Sequence, residues 1–234
     1  MKVTLLIPTL NELEGMKVIM PQVRREWYDE LIVLDGGSTD GTVEWARTQG
    51  YRVVTQSKPG LRSAYSELWP HLTTETVITF SPDGNCLPEL IPQIATRLRE
   101  GYDMVIASRY LDGAVSEDDD LLTSFGNWLF TTSARWMFGG SMTDVMGIYR
   151  GYRCKLIAEL NLDQDDAYAL AEMLFFTKIS WEPLLSARAL KYHKRISEIP
   201  GDEPARIAGE RKLQVLRWGA AYYFQFLREW LFLK

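Results

Sequence analysis

Short apolar runs alternate with longer amphipathic stretches through the first half of the chain. Residues 3–7, 31–34, 52–55, 77–80 and 104–107 are rich in Val, Ile and Leu, which predicts strands covered on both faces. Between them, residues 12–27, 42–49, 62–71 and 87–100 place apolar positions at helical intervals. Strand and helix in alternation predict an α/β fold, with helices wrapping a mostly parallel, Rossmann-like sheet. The second half is less regular. Residues 123–138 and 181–191 predict helices, the first unusually aromatic, and residues 195–199 suit a strand. From about residue 210 onward the chain reads as helical and strongly apolar, and no internal repeat or low-complexity linker interrupts the order.

With 234 residues, the chain suits one sizeable α/β core rather than two enzyme domains. The expected division is a catalytic-type domain over residues 1–212 and an amphipathic, aromatic-rich helix over 213–234. The composition, 46% apolar and 24% charged, is that of a folded globular protein, and a net charge of −5 argues against a general nucleic-acid binder. Cys86 and Cys154 show no paired spacing, which fits a reducing compartment and speaks against a disulfide or zinc framework. Two histidines, His71 and His193, are too few for a His-rich metal site, so any metal is expected to be hard and oxygen-ligated. The first residues lack a signal-peptide pattern, and no run of about 18 uncharged apolar residues predicts a membrane span. The expectation is a cytoplasmic protein, peripheral at the inner face of the membrane.

Ligands of open α/β sheets sit beyond the carboxyl ends of the strands, so chemistry is sought there. After the first strand comes Ile7-Pro8-Thr9-Leu10-Asn11-Glu12. Pro8 lacks a backbone donor and is expected to end the strand, Thr9 or Asn11 to cap the next helix, and Glu12 to accept hydrogen bonds from a nucleobase edge. A plain strand-to-helix turn would carry the same residues. After the second strand comes Asp35-Gly36-Gly37-Ser38-Thr39-Asp40-Gly41-Thr42. Its paired glycines permit a tight turn and close ligand approach, and Ser38 or Asp40 suits the helix cap. Asp35 ends a buried strand, where a carboxylate needs a partner such as a ribose or base. No G-x-G-x-x-G accompanies it.

These two segments resemble glycosyltransferase family 2, which has the GT-A fold, a Pro-Thr-x-Asn-Glu-like first strand end and an Asp-Asp-Gly-Ser-x-Asp-Gly-Thr-like second one; Gly36 stands at the second Asp. Ser81-Pro82-Asp83-Gly84-Asn85 resembles the Asp-x-Asp-x-Gln of dolichol-phosphate mannose synthases and other polyprenyl-phosphate sugar transferases. Asp83 matches the second carboxylate and Asn85 the Gln, while Ser81 replaces the first carboxylate. Ser108-Arg109-Tyr110 is similar to that branch's Ser-Arg-Tyr, and Asp144–Arg150 to its Asp-Pro-x-x-Gly-Phe-Arg, with Ile148 where Gly is usual. Arg206-Ile207-Ala208-Gly209-Glu210-Arg211-Lys212 resembles its Arg-x-x-Gly-x-Ser-Lys, with Arg211 for Ser. The resemblance spans most of residues 1–213.

The resemblance implies an inverting transfer of a sugar from a nucleoside-diphosphate sugar. Pro8, Thr9, Glu12, Asp35, Gly37, Ser38 and Asp83 would hold the donor. Mg²⁺ or Mn²⁺ on Asp83 and Asn85 would take its other oxygens from phosphate and water. Arg109, Arg150, Arg206 and Lys212 would bind phosphate, and Asp83, Asp144, Arg109 and Arg150 form the implied catalytic set. The acceptor implied is a polyprenyl phosphate. A glycan hydroxyl is the alternative, and it needs a base such as Asp144.

A nucleotidyltransferase would carry a Gly-rich, Arg-containing loop after the first strand, which is missing here. A non-catalytic nucleotide-sugar binder is suggested by Ser81. Glu117-Asp118-Asp119-Asp120 reads as a solvated loop capping the next helix in preference to a metal loop. Glu182 is either a ligand contact or a helix-start carboxylate facing the helix dipole. In the tail, Gln214, Arg217, Gln225 and Arg228 form a narrow polar stripe beside a wide aromatic face. That pattern fits a helix lying at the membrane interface, and equally one packed on the domain or in a homodimer.

Overall fold

Residues 1–207 and 215–232 are described by the computed structural model. The five apolar runs become β1 (Val3–Thr9), β2 (Glu30–Asp35), β3 (Arg52–Thr55), β4 (Thr76–Thr79) and β5 (Met104–Ser108). The helices joining them are α1 (Leu13–Ile19), α2 (Thr42–Thr48), α3 (Leu61–Leu68) and α4 (Ile91–Arg99). The chain continues through α5 (Leu121–Phe138), β6 (Arg150–Arg153), α6 (Leu156–Glu159), α7 (Asp166–Phe175), α8 (Glu182–Lys191), β7 (Ile196–Pro200) and α9 (Val215–Leu231).

The seven strands form one sheet in the order β3-β2-β1-β4-β6-β5-β7. All neighbours run parallel except β6, which pairs antiparallel with both β4 and β5. Side chains alternate across the strands and feed two cores. On one face Val3, Leu5 and Ile7 pack with Met16, Ile91, Ile94 and Leu98 of α1 and α4. On the other, Leu6, Ile32, Val77 and Ile106 meet the larger layer of α3 and α5 through α9.

Several expectations change. The helix expected over residues 12–27 stops at Ile19, because Pro21 supplies no backbone donor and the chain turns through two short 3₁₀ segments. β1 does not end at Pro8: it runs on to Thr9, with Pro8 in register with Leu34. The strand β6 and the helices α6 and α7 have no counterpart in the pattern reading. The expected boundary at residue 212 lies outside the described residues, and α9 beyond it packs on the helical layer. Ala221, Tyr222, Phe226, Gln225 and Glu229 of α9 are buried, and Glu229 pairs with Arg188 of α8 at 2.6 Å. Among the described residues no helix is long and apolar enough to cross a membrane.

Gly151 shows how tightly β6 is inserted. A Cβ there would collide with Ile94 Cγ2 and lie 2.9 Å from Leu98 Cδ1 of α4. Gly151→Ala is therefore expected to cost about 1–3 kcal/mol by overpacking. Urea unfolding should show a lower midpoint with an unchanged slope; an unchanged midpoint would mean that α4 is free to shift.

Candidate active site at the carboxyl ends of the strands

The loops after β1 and β2 are laced together. Asn11, at φ 55, accepts from the Thr39 amide at 2.8 Å, and its own amide donates to Ser38 Oγ at 2.8 Å. Asp40 takes the place expected of Thr9 or Asn11 as cap of α1, accepting from the Leu13 amide at 3.0 Å, and it also accepts from the Thr42 amide at the start of α2. Burial would raise its pKa, yet these donors and the Thr42 hydroxyl outweigh it and hold the carboxyl below its ordinary value. Asp35 is buried, and its partner is its own loop: the amides of Gly37 and Ser38 donate at 2.8 and 3.1 Å. A carboxylate met by two backbone amides needs no ribose to be tolerated. Thr9 is buried with its hydroxyl 3.5 Å from Asp35, and Pro8 and Glu12 are half-buried.

The turn after β4 carries Ser81, Asp83 and Asn85. Gly15 of α1 packs so closely on it that a Cβ would strike the Pro82 carbonyl. Asp83 and Asn85 are buried on one tight turn, the Asn85 amide donating to Asp83 Oδ1 at 3.3 Å. A carboxylate and a carboxamide on one turn fit a hard cation that completes its shell with phosphate and water. Among the described residues no group of three or more acidic, His or Cys side chains gathers as a full protein cage. Arg206 stands at the same carboxylate, with Nη1 2.8 Å from Asp83 Oδ2 and Nε 3.1 Å from Asp118 Oδ2.

At the end of β5, Arg109 grips Asp144 with two arms, Nε to Oδ2 at 2.7 Å and Nη2 to Oδ1 at 3.0 Å. Its Nη1 lies 3.4 Å from Glu203 and 3.8 Å from Asp119. Burial would raise the Asp144 pKa, but the charge and hydrogen bonds of Arg109 more than compensate, and the carboxyl is held below its ordinary value. Asp144 is thus corrected from base to anchor: it has no solvent exposure and its lone pairs are taken, the Gly147 amide adding a donor at 2.9 Å. Arg109 lines the cleft, but a phosphate would have to compete with Glu203 for Nη1. Glu203, whose pKa burial raises against the opposing charge of Arg109, is the carboxyl of this cleft suited to proton transfer.

Arg150 is a second correction. It has no solvent exposure, and its guanidinium donates to the carbonyls of Gly147, Val145 and Glu182 and to Ser186 Oγ. Its donors are consumed inside the protein, so it ties β6 to α8 and does not reach a phosphate. Lys212 lies outside the described residues.

Asn85, Arg109, Asp118, Glu203 and Arg206 line a cleft of about 270 Å³ together with Trp218 and Tyr222 of α9. Glu182 lies at its inner wall, 2% exposed, with neither carboxylate oxygen hydrogen-bonded. Burial, and next the Glu182 charge, raise the pKa of the neighbouring Tyr65 hydroxyl well above its ordinary value. A wider hollow of about 660 Å³ lies by α3 and α7, but its Arg62, Asp165, Glu172 and Lys178 pair with one another. The smaller cleft lies at the strand ends. Asp118 and Glu203 were absent from the expected site. The acidic run 117–120 hides three separate fates, since Asp118 meets Arg206, Asp119 accepts from Tyr110, and Asp120 caps α5.

Comparison with known proteins agrees with this layout. The chain is 27% identical over 248 residues to undecaprenyl-phosphate mannosyltransferase of Micrococcus luteus, covering 97% of this chain and 98% of that protein. It is 31% identical over 167 residues to glycosyltransferase AglJ of Haloferax volcanii, a match covering 70% of this chain but only 54% of that protein. Among solved structures, glucosyl-3-phosphoglycerate synthase of Mycobacterium tuberculosis shares the fold with a TM-score of 0.65 at 18% identity, over 98% of this chain and 80% of that one. A further structure of that synthase holds Mn²⁺, UDP and glucosyl-3-phosphoglycerate. Residues 4–160 match the family described as glycosyl transferase family 2, and the chain belongs to that family, as a glycosyltransferase with a GT-A-like α/β fold.

Proposed function

We propose that the protein is an inverting transferase that moves a sugar from a nucleoside-diphosphate sugar to a polyprenyl phosphate at a membrane surface. The observation that carries this reading is the composition of the cleft, where the strand-end loops and cations meet the aromatic side chains of α9. Near-full-length similarity to undecaprenyl-phosphate mannosyltransferase supports it. In the reaction an acceptor phosphate oxygen bonds to the anomeric carbon from the face opposite the diphosphate. The bond from that carbon to the diphosphate oxygen breaks, and nucleoside diphosphate leaves with the electron pair. The acceptor is already anionic and needs no general base. Glu12 and the loop at Gly37 and Ser38 receive the nucleoside, and Arg206 meets phosphate. Asp83 and Asn85 would hold Mg²⁺ or Mn²⁺, and such an ion would supply charge neutralisation for the departing diphosphate. A glycan hydroxyl as acceptor is the second reading, favoured by the raised pKa of Glu203, which suits a base.

The outer face of α5 favours the lipid. Phe125, Trp128 and Trp136 recur at helical spacing and are 58%, 61% and 71% exposed, while Phe130, Ala134 and Phe138 fill the core. Trp136 packs at a tilt against Trp230 of α9 with centroids 4.9 Å apart, and Phe232 near the end of α9 is also exposed. Aromatic side chains concentrate at the headgroup level of a bilayer. A net charge of −5 makes apolar insertion, not charge attraction, the expected anchor.

Asp83→Asn should lower metal-dependent turnover at least about tenfold, equal to roughly 1.4 kcal/mol of transition-state stabilisation. Circular dichroism should show the fold intact; full activity in the variant would place the metal elsewhere. For the membrane, the exposed pair Trp128→Ser and Trp136→Ser in the full chain should reduce recovery with floated liposomes. Because α9 belongs to the core, these substitutions test the surface where truncation would test folding. Equal flotation of variant and native chain, with activity on a water-soluble glycan, would favour the hydroxyl acceptor.

A further inference from the structure

Glu182 opens α8 and lines the cleft, yet its side chain is enclosed and neither carboxylate oxygen accepts a hydrogen bond. A carboxylate withdrawn from water without donors is costly to keep. Its surroundings supply favourable charge but no donors. The start of a helix favours a negative group, and the Arg150 guanidinium feels the Glu182 charge. The N–H groups of Arg150 are nonetheless spent on the carbonyls of Val145, Gly147 and Glu182 itself and on Ser186 Oγ. The Tyr65 hydroxyl lies close by, outside hydrogen-bonding geometry, and it too lacks a partner. It has one hydrogen to give, so even a turn towards Glu182 would leave most of the carboxylate's accepting capacity unused.

We propose that Glu182 accepts hydrogen bonds from hydroxyl groups of the transferred sugar, and so selects the donor by its sugar. This rests on the reading above that the protein uses a nucleoside-diphosphate sugar. Of the groups in that reaction, the diphosphate and the acceptor phosphate are repelled by a carboxylate, and a polyprenyl chain has no hydrogen to donate. The nucleoside contacts proposed above, Glu12, Gly37 and Ser38, are not part of the wall of this cleft, whereas Asn85, Arg206 and Glu182 are. A sugar carried on a diphosphate at Asn85 and Arg206 therefore enters the cleft that Glu182 lines. A carboxylate can accept from two neighbouring hydroxyls at once, and bonds to a charged acceptor are stronger than neutral ones. A site with such an acceptor discriminates against a ligand that lacks the matching donor, because the buried group is then left unpaired.

The test is calorimetric titration of the full chain with Mn²⁺ present, comparing UDP with UDP-glucose and GDP with GDP-mannose in the native protein and in Glu182→Gln. Glutamine keeps the shape and one accepting oxygen while removing the charge. The nucleotide sugar that the native chain binds should lose about tenfold in affinity, the scale of one charged hydrogen bond, while the matching nucleoside diphosphate binds unchanged. Thermal melting adds a second readout: Glu182→Gln relieves an unmet buried charge and should melt no lower than the native chain. Equal weakening of nucleotide and nucleotide sugar, or no weakening of either, would overturn the assignment. A melting point that falls while donor affinity holds would make Glu182 a structural partner of Arg150 instead. A loss confined to the KM of a glycan acceptor, with donor affinity kept, would overturn the assignment in favour of an acceptor hydroxyl. Failure of the native chain to bind any of the four ligands would remove the nucleotide-sugar reading itself, and this inference with it.

Discussion

The cleft depends on one buried ion pair. Arg109 ends β5, Asp144 begins the turn that leads into β6, and their two-armed contact fixes the distance between those elements. Enclosing both charges carries a large desolvation cost, which is met only when the geometry is good and other donors satisfy the remaining lone pairs. Both conditions hold: the amides of Met146 and Gly147 serve Asp144, and Glu203 serves the third arm of Arg109. Glu198 of β7 accepts from the amides of Thr143 and Asp144, so the sheet edge holds the same turn from behind. Through this pair the loops at residues 110–120 and 201–207 acquire a common floor, and Asp83, Asp118 and Arg206 meet above it.

The first five strands were legible because both faces of each are covered, which demands an unbroken apolar run. The strand β6 was not, since Arg-Gly-Tyr-Arg has no such run, and it is a strand only because the edges of β4 and β5 are there to receive it. Glycine at its centre is read from sequence as a breaker, yet here it is what α4 requires. Arg109 and Arg150 look alike in sequence, each an arginine inside a phosphate-binding motif. Burial separates them, because Arg150 sits between two strands under α8 whereas Arg109 stands at the rim. The acidic run 117–120 was legible in part, since Asp120 caps α5 as expected whereas Asp118 meets Arg206. Adjacent aspartates diverge in role once a distant segment, residues 201–207, comes to lie against one of them.

The breadth of the apolar face on α9 had two competing explanations in sequence, and the packing gives part of the face to the core. Ala221, Tyr222 and Phe226 are enclosed by the helical layer, while Trp230, Leu231 and Phe232 at its end remain outside. A carboxylate such as that of Glu229 is ordinarily left in water. Glu229 is instead 2% exposed and paired with Arg188 and Lys191. A helix can therefore be half core and half surface, with a charge on the core side, and a tally of apolar residues around its axis does not reveal the division.

The inserted antiparallel strand also sets an order on how the chain is assembled. The β1, β2, β3 and β4 half is built from consecutive parallel units whose partners are made within a short stretch of chain. β5 has no such neighbour, for its edges are taken by β6 and by β7, the latter pairing Met104 with Ile196. Contacts between distant residues form slowly because a long loop must close first. During synthesis from the amino terminus, the half built from β1 to β4 can gather while the other half still waits for β7. Until then β5 carries an open edge and the helices meant to cover it are unplaced. The interval between the two halves is when this protein is most exposed to aggregation.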